Sequence, residues 1–138
     1  MREFVSNSAA DTFEIGRRLA DCLKGGEVIA MEGDLGMGKT CLTSGIAAGL
    51  GYTGETSSPT FALVNEYIGG RLPLYHFDMY RVEGWEDLYS TGFFDYIESG
   101  GVLAVEWSEN IAAALPDNTL HIVISRVDDN TRVIKTDF

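Results

Sequence analysis

The chain has 138 residues, of which 45% are hydrophobic and 22% charged, and this composition is typical of one globular domain over residues 1–138. Its net charge of −11 argues against direct nucleic-acid binding, because proteins that bind nucleic acid by themselves usually carry a basic face. No apolar run reaches membrane-spanning length and no signal peptide begins the chain, so we expect a cytoplasmic protein without membrane contact.

The N-terminal residues predict a short strand and then a helix. Residues 3–5 can form the strand, and Ser8 with Asp11 fits a capping box that opens a helix to about residue 24. Four residues are expected on the inner face of this helix, namely Ile15, Leu19, Cys22 and Leu23. Thr12 lies in the first helical turn, where it either faces a nucleotide or is a plain surface threonine.

A phosphate-binding pattern follows this helix. Residues 27–32 predict a buried strand, and Leu42, Ile46 and Leu50 recur at helical spacing further on. The chain between them fits Gly-x-x-x-x-Gly-Lys-Thr, which is the P-loop pattern. The candidates for nucleotide contacts in this segment are Gly33, Asp34, Leu35, Gly36, Met37, Gly38, Lys39, Thr40 and Cys41.

The residue types of this segment suit a nucleoside triphosphate. The glycines let the loop turn tightly with its N–H groups pointing inward, and the start of the helix adds unpaired N–H donors. Lys39 supplies a positive charge for the β- and γ-phosphates, and the Thr40 hydroxyl can bind Mg²⁺. The alternative is a glycine turn before an ordinary helix, with Cys41 as a small packing residue. The order of strand, turn and helix favours the P-loop.

The next segment predicts a switch element and a hairpin. Residues 51–58 predict a loop, and the hydroxyl-rich Ser57-Ser58-Pro59-Thr60-Phe61 lies where P-loop NTPases carry switch I. Thr60 is placed to sense the γ-phosphate; the alternative is a solvated turn. Residues 61–68 and 72–77 then predict two strands joined by a turn at Gly69-Gly70.

The second half of the chain predicts further helices and strands. We expect, in order, an acid-rich helix near residues 83–89, an aromatic segment beneath it at 92–97, and a buried strand over 101–107. A short helix over residues 110–115 should stop at Pro116, and residues 119–127 and 131–138 predict a closing hairpin.

Two acids at predicted strand ends are candidates for a magnesium site. P-loop enzymes hold Mg²⁺ with an acid at the carboxyl end of a neighbouring strand. Glu106 follows the most apolar strand and is the first candidate; Asp78 is the second. One could hold Mg²⁺ through water while the other orients the attacking water, and the alternative for each is a solvated strand-end acid. His76 is expected to be a hydrogen-bonded structural residue.

Taken together, these segments resemble the TsaE (YjeE) family, the ATPase of bacterial tRNA threonylcarbamoyladenosine synthesis. The resemblance covers residues 8–135 and departs from the family pattern at Cys41, where a second threonine is usual. It is carried by Gly33-Asp34-Leu35-Gly36-x-Gly38-Lys39-Thr40, Ser58-Pro59-Thr60-Phe61, Leu63-Val64-x-Glu66-Tyr67, His76-Phe77-Asp78-x-Tyr80-Arg81 and Glu106-Trp107.

The resemblance implies a fold, an activity and partners. The fold would be an α/β, three-layer P-loop NTPase-like domain with a central, mainly parallel sheet and a C-terminal β-hairpin. Such proteins bind ATP or ADP with Mg²⁺, hydrolyse ATP weakly alone, and dock on the TsaD–TsaB complex to support threonylcarbamoylation of adenosine in tRNA. The tRNA would be reached only indirectly through that complex, and the isolated chain is expected to be a monomer.

The resemblance also implies individual roles. Residues 58–61 would be switch I, Trp107 would lie close to the nucleotide, and Arg132 matches a C-terminal family arginine. The catalytic residues would be Lys39, Thr60, Asp78 and Glu106, and the metal ligands would come from Thr40, Asp78 and Glu106.

Other functions stay open at this point. A P-loop small-molecule kinase usually carries an arginine-rich lid, and no arginine cluster is present. A nucleotide-gated binding module with incidental hydrolysis also fits the acidic composition. A G-protein is disfavoured, because no Asn-Lys-x-Asp segment for reading guanine occurs.

Overall fold

The computed structural model describes residues 2–33, 38–56 and 64–138. The helices and strands in these ranges are β1 (Arg2–Ser6), α1 (Ala9–Leu19), β2 (Val28–Glu32), α2 (Lys39–Gly49), β3 (Val64–Tyr67), β4 (Leu74–Asp78), α3 (Trp85–Ser90), α4 (Phe93–Glu98), β5 (Val102–Glu106), β6 (Leu120–Arg126) and β7 (Arg132–Thr136). Ala20–Cys22 and Ser108–Ala114 form 3₁₀ helices. None of the described helices has the length and apolar character needed to cross a membrane.

The strands form one seven-stranded mixed sheet in the order β1-β7-β6-β2-β5-β4-β3. β6, β2, β5 and β4 are parallel neighbours, whereas β7, β1 and β3 join at the two edges as antiparallel strands. This arrangement confirms the predicted mainly parallel centre and the C-terminal hairpin β6–β7. The carboxyl ends of β2, β4 and β5 meet at one edge of the sheet, which is where open α/β sheets bind their ligands.

Successive side chains of the central strands point to opposite faces of the sheet, so the hydrophobic core is divided between two helical layers. Ile29 and Met31 of β2 pack on one face with Leu42 and Ile46 of α2. Val28 points to the opposite face, where the core includes Leu103 and Val105 of β5, Phe77 of β4 and Phe93 of α4. The sheet therefore lies between α1–α2 and α3–α4, and the predicted three layers are confirmed.

Helices α1 and α2 pack with their backbones unusually close together. A Cβ atom added at Gly45 would lie 2.0 Å from the Phe13 carbonyl oxygen, and one added at Gly16 would lie 2.3 Å from the Leu42 carbonyl oxygen. Only residues without a side chain allow this approach. This packing also positions α2, which begins at Lys39.

The first helix departs from its prediction at its C-terminal end. Ser8 caps it as predicted, with Ser8 Oγ accepting a hydrogen bond from the Asp11 N–H. The α-helix ends at Leu19 and a 3₁₀ turn carries the chain to Cys22, so the prediction of helix to residue 24 was wrong. Cys22 is exposed rather than on the inner face. The tighter 3₁₀ winding accounts for this, because it moves residues off the stripe that an α-helix would continue.

Two connections also differ from the sequence prediction. β3 and β4 are joined through residues 68–73 rather than by a two-residue turn. Arg71 anchors that loop: its N–H donates to Leu50 O and its guanidinium donates to Leu23 O and Ala20 O. The helix after β5 is a 3₁₀ helix that already begins at Ser108, because Trp107 turns the chain immediately after the strand.

Candidate functional site

Lys39 is held at the carboxyl edge of the sheet. It is the first residue of α2, only 6% exposed, and follows Gly38, whose φ of 95° is a left-handed conformation that favours glycine. The ammonium donates to the Gly33 carbonyl oxygen at 2.7 Å. Lys39 Nζ also lies 3.7 Å from Glu106 Oε1 and 5.6 Å from the centre of the Trp107 ring. The positive charge therefore has a defined position beside the loop that should hold phosphates.

Glu106 ends β5 and is 8% exposed. Its Oε2 lies 2.5 Å from His76 Nε2, while Oε1 faces Lys39. Burial by itself raises the pKa of the Glu106 carboxyl, but the hydrogen bond and charge of His76 and the charge of Lys39 more than offset this, so the pKa lies below its ordinary value. An ionised carboxylate is thus maintained inside the protein, where it can accept a hydrogen bond from water or bind a cation.

His76 is the residue of the candidate site that sequence reasoning underestimated. It is hydrogen-bonded and fully buried, as expected of a structural histidine, but its partner is the candidate acid Glu106. Its Nδ1 has no hydrogen-bond partner within the described ranges. The available signal was the two-residue spacing of His76 and Asp78, which puts both side chains on the same face of β4.

Asp78 and Glu106 are cross-strand neighbours. They pair in register at the ends of the parallel strands β4 and β5, which confirms that the two acids meet at one edge. Asp78 is half-buried, and its Oδ1 accepts a hydrogen bond from the Tyr80 N–H at 2.9 Å. Thr40 lies in the first turn of α2.

The donor set at this edge fits a nucleotide-bound magnesium ion. Within residues 2–33, 38–56 and 64–138, no three His, Cys, Asp or Glu side chains converge to hold a metal ion. Mg²⁺ in nucleotide sites is usually bound by one or two carboxylates plus phosphates and water, so a full protein cage is not required. A hydroxyl from Thr40 and carboxylates from Asp78 and Glu106 are hard oxygen donors of the right kind, and their roles stay a prediction.

Trp107 occupies a strained position directly after Glu106. Its φ of 57° makes it the single non-glycine residue with positive φ in the part of the chain that the structure describes. Its ring lies against Tyr80, with 4.9 Å between the ring centres. Backbone strain of this kind concentrates at functional sites. The Trp107 ring also lies against the Lys39 ammonium, and this position agrees with a place for Trp107 close to a nucleotide, which stays a prediction.

A cavity of about 260 Å³ opens beside the start of α2. Thr12, Cys41 and Arg132, three predicted nucleotide-binding residues from distant parts of the chain, line it together with Gly38. Thr12 is 4% exposed and its Oγ1 lies 2.6 Å from Ser6 Oγ, so the surface alternative for Thr12 was wrong. The Cys41 thiol donates to the Ala9 carbonyl oxygen, and burial raises its pKa. These contacts confirm Cys41 as a packing residue, whereas its contact with a nucleotide stays a prediction.

Part of the predicted site lies outside the described residues. This holds for Asp34, Leu35, Gly36 and Met37 of the P-loop and for residues 57–63, which include Thr60. Gly33 and Gly38, which flank the first gap, are in place at the end of β2 and the start of α2. Their predicted contacts with phosphate, and that of Thr60, stay predictions.

The fold and the site define the class of protein. A buried lysine begins the helix after the central strand, and paired acids end the adjacent strands, which is the arrangement of an α/β protein of the P-loop NTPase-like class. The chain belongs to the TsaE family: the family model for "Threonylcarbamoyl adenosine biosynthesis protein TsaE" matches residues 6–134.

Individual relatives agree with this assignment. The tRNA threonylcarbamoyladenosine biosynthesis protein TsaE of Bacillus subtilis is 46% identical over 125 residues, covering 90% of this chain and 77% of the relative. The protein of the same name from Treponema pallidum is 41% identical over 130 residues, covering 94% and 96%. The crystal structure of Bacillus subtilis YdiB matches with a TM-score of 0.81 and 38% identity, over 96% of this chain and 82% of that one.

Proposed function

We propose that the protein is a Mg²⁺-dependent ATPase of low intrinsic activity that works in tRNA threonylcarbamoyladenosine synthesis. The observation that carries the proposal is the placement of Lys39 Nζ, at the start of α2, 3.7 Å from the buried Glu106 carboxylate at the end of β5. A cation for phosphate and an acid for metal or water would thus face each other at the carboxyl ends of the central strands.

The side chains at this site would have separate roles in the transfer of the γ-phosphoryl group to water. Lys39 would leave the Gly33 carbonyl oxygen and bind the phosphates, supported by the N–H groups at the start of α2. Bound Mg²⁺ supplies neutralisation of the phosphate charge that develops during the reaction. Asp78 and Glu106 provide one acid that holds the metal and one that accepts a hydrogen bond from the attacking water. His76 keeps the Glu106 carboxylate oriented for either task.

The nucleoside would occupy the cavity beside Gly38. Thr12, Cys41 and Arg132 line this cavity, which adjoins the start of the phosphate-binding helix. A base and ribose placed there would leave the phosphates at the N-terminus of α2. This position supports ATP or ADP as the ligand rather than inorganic phosphate.

The biological role follows from the family and from the charge of the chain. The relatives are named tRNA threonylcarbamoyladenosine biosynthesis proteins. With a net charge of −11 the chain should repel tRNA, so it would act through the TsaD–TsaB complex and contact tRNA only indirectly. The nucleotide state would reach that complex through residues 58–61, if Thr60 senses the γ-phosphate.

Measuring ATP turnover with and without purified TsaD–TsaB tests the proposal. We expect slow, EDTA-sensitive release of ADP from the protein alone and faster release with the partner pair. Tight ATP binding with no hydrolysis in either sample would support the nucleotide-gated binding module. ADP release that appears only with a small-molecule acceptor would support the kinase.

A further inference from the structure

Three aromatic side chains near the third helix are unusually exposed. Tyr80 is 61% exposed, Trp85 54% and Tyr89 66%, although large aromatic side chains are normally buried. The Trp85 ring stacks on Phe94 at 15° with 6.4 Å between the ring centres, and Tyr89 lies 5.0 Å from Phe94. We call Trp85, Tyr89 and Phe94 the aromatic face. Its rings hold one another in position, so the apolar surface is preorganised for a contact.

The surrounding layer of the protein carries charge of one sign. Residues 82–125, which include α3, α4 and β5, contain no lysine or arginine. The same stretch contains eight acids: Glu83, Glu86, Asp87, Asp95, Glu98, Glu106, Glu109 and Asp117. All of these except Glu106 are exposed. Arg81, directly before this stretch, is the basic residue nearest in sequence to the aromatic face, and it is outnumbered by the seven exposed acids. A surface that combines exposed aromatic rings with an excess of negative charge complements a basic protein surface.

A cavity of about 290 Å³ lies next to the aromatic face. Its walls include Trp85 and Glu83 together with the apolar side chains of Leu88, Ile111, Ala113 and Ala114. This lining suits a lysine or arginine side chain: apolar walls receive the methylene stem, the indole ring attracts a cation, and the carboxylate pairs with the charge.

We propose that the aromatic face and the cavity beside Trp85 form the docking surface for a basic protein partner, with a lysine or arginine of that partner entering the cavity. The inference rests on the proposed function, in which the partner is the TsaD–TsaB pair. Tyr80, in the turn before α3, connects this side of the molecule to the nucleotide site, because its ring contacts Trp107 and Trp107 covers Lys39.

The test measures the affinity of purified TsaD–TsaB for the parent protein and for single variants over a salt series. Trp85→Ala and Tyr89→Ala should each weaken binding about ten-fold, because buried aromatic anchors dominate interface energies. Glu86→Lys should weaken binding most at low salt and should flatten the salt dependence. Circular dichroism establishes that each variant is folded.

Matched controls come from exposed residues elsewhere. Ile68, which is 60% exposed in the β3–β4 connection, and Asp21, in the 3₁₀ turn after α1, lie outside the face. Ile68→Ala and Asp21→Lys should change the affinity by less than about two-fold. Parent-like binding by Trp85→Ala, Tyr89→Ala and Glu86→Lys would overturn this surface while leaving docking intact. Absence of binding by the parent protein would overturn docking on TsaD–TsaB and the surface with it.

Discussion

The imidazole of His76 and the carboxylate of Glu106 meet inside the protein, with Nε2 and Oε2 2.5 Å apart. The other carboxylate oxygen lies 3.7 Å from Lys39 Nζ. Taking a charged group out of water is costly unless partners surround it, so each of these three side chains depends on the others for its buried position. The contact links a strand-end acid to the lysine that begins α2.

Acid should remove the contribution of Glu106 to stability. Its pKa is lowered in the folded state, so this contribution is complete above the ordinary glutamate pKa and is lost as the pH falls through the lower, folded-state value. We expect the difference in unfolding free energy between the parent and Glu106→Gln to shrink from about pH 7 to about pH 3. Denaturant titrations measure it, with the exposed Glu98→Gln as control. A difference that grows toward acid pH would contradict the assigned partners.

The strand-end acids should matter more for hydrolysis than for folding. Glu106→Gln and Asp78→Asn should each lower Mg²⁺-dependent ATP turnover by about 100-fold, because each removes either a metal ligand or the acceptor for the attacking water. Steady-state turnover and thermal unfolding should be measured on the same preparations. Asp21→Asn, on the exposed 3₁₀ turn, is the control acid. Equal losses at Asp21 and Glu106 would remove the reason for assigning function to strand ends.

Lys39→Ala should strongly weaken ATP binding while the fold persists. The variant loses a charge-assisted contact with phosphate, which should cost about 2 to 3 kcal/mol of binding free energy. Calorimetric titration with MgATP measures the loss, and circular dichroism reports folding. Lys24→Ala, at an exposed lysine, should bind as the parent does. A folded Lys39→Ala protein with parental affinity would show that the P-loop assignment is wrong.

Arg132→Ala should separate nucleoside binding from phosphate binding. Arg132 lines the cavity beside Gly38, so its loss should weaken ATP binding by about ten-fold, the effect of one lost hydrogen bond to a ligand. Binding of inorganic tripolyphosphate, which has no nucleoside, should not change. Lys135→Ala, at an exposed residue of the same strand, is the matched control. Equal weakening of both ligands would place Arg132 at the phosphates instead.

Gly45→Ala should destabilise the protein by about 3 kcal/mol or more, because the new methyl group would overlap the Phe13 backbone. Gly84→Ala is the control: its φ of −167° is extended, and no atom lies within 4 Å of the added Cβ. That variant should stay within about 1 kcal/mol of the parent. Urea unfolding of both variants measures the difference, and similar midpoints would show that α1 can move away from α2.

Features that depend on spacing within one segment were accessible from the sequence. The Ser8 cap, the buried strand before Lys39, the hairpin β6–β7 and the acids that end β4 and β5 all follow from local periodicity and turn chemistry. The motifs that indicated the TsaE family are equally local, which is why the class of fold and the lysine of the site were predictable. The change from α-helix to 3₁₀ helix after Leu19 was not predictable, because a 3₁₀ turn such as the one that exposes Cys22 differs little in sequence from an α-helical turn.

Only the tertiary structure decided which of these segments meet. The order of strands inserts β2 between β5 and β6, and this brings Lys39 to Glu106. The pairing of β7 with β1 sets Arg132 opposite Ser6 and so brings it to the cavity of Thr12. Sequence predicted His76 as structural but not its bond to Glu106, because strand pairing depends on packing across the whole sheet. The burial of Thr12 against Ser6 and the close approach of Gly45 to the Phe13 backbone also depend on tertiary structure. Each requires that two separate segments of the chain pack against each other.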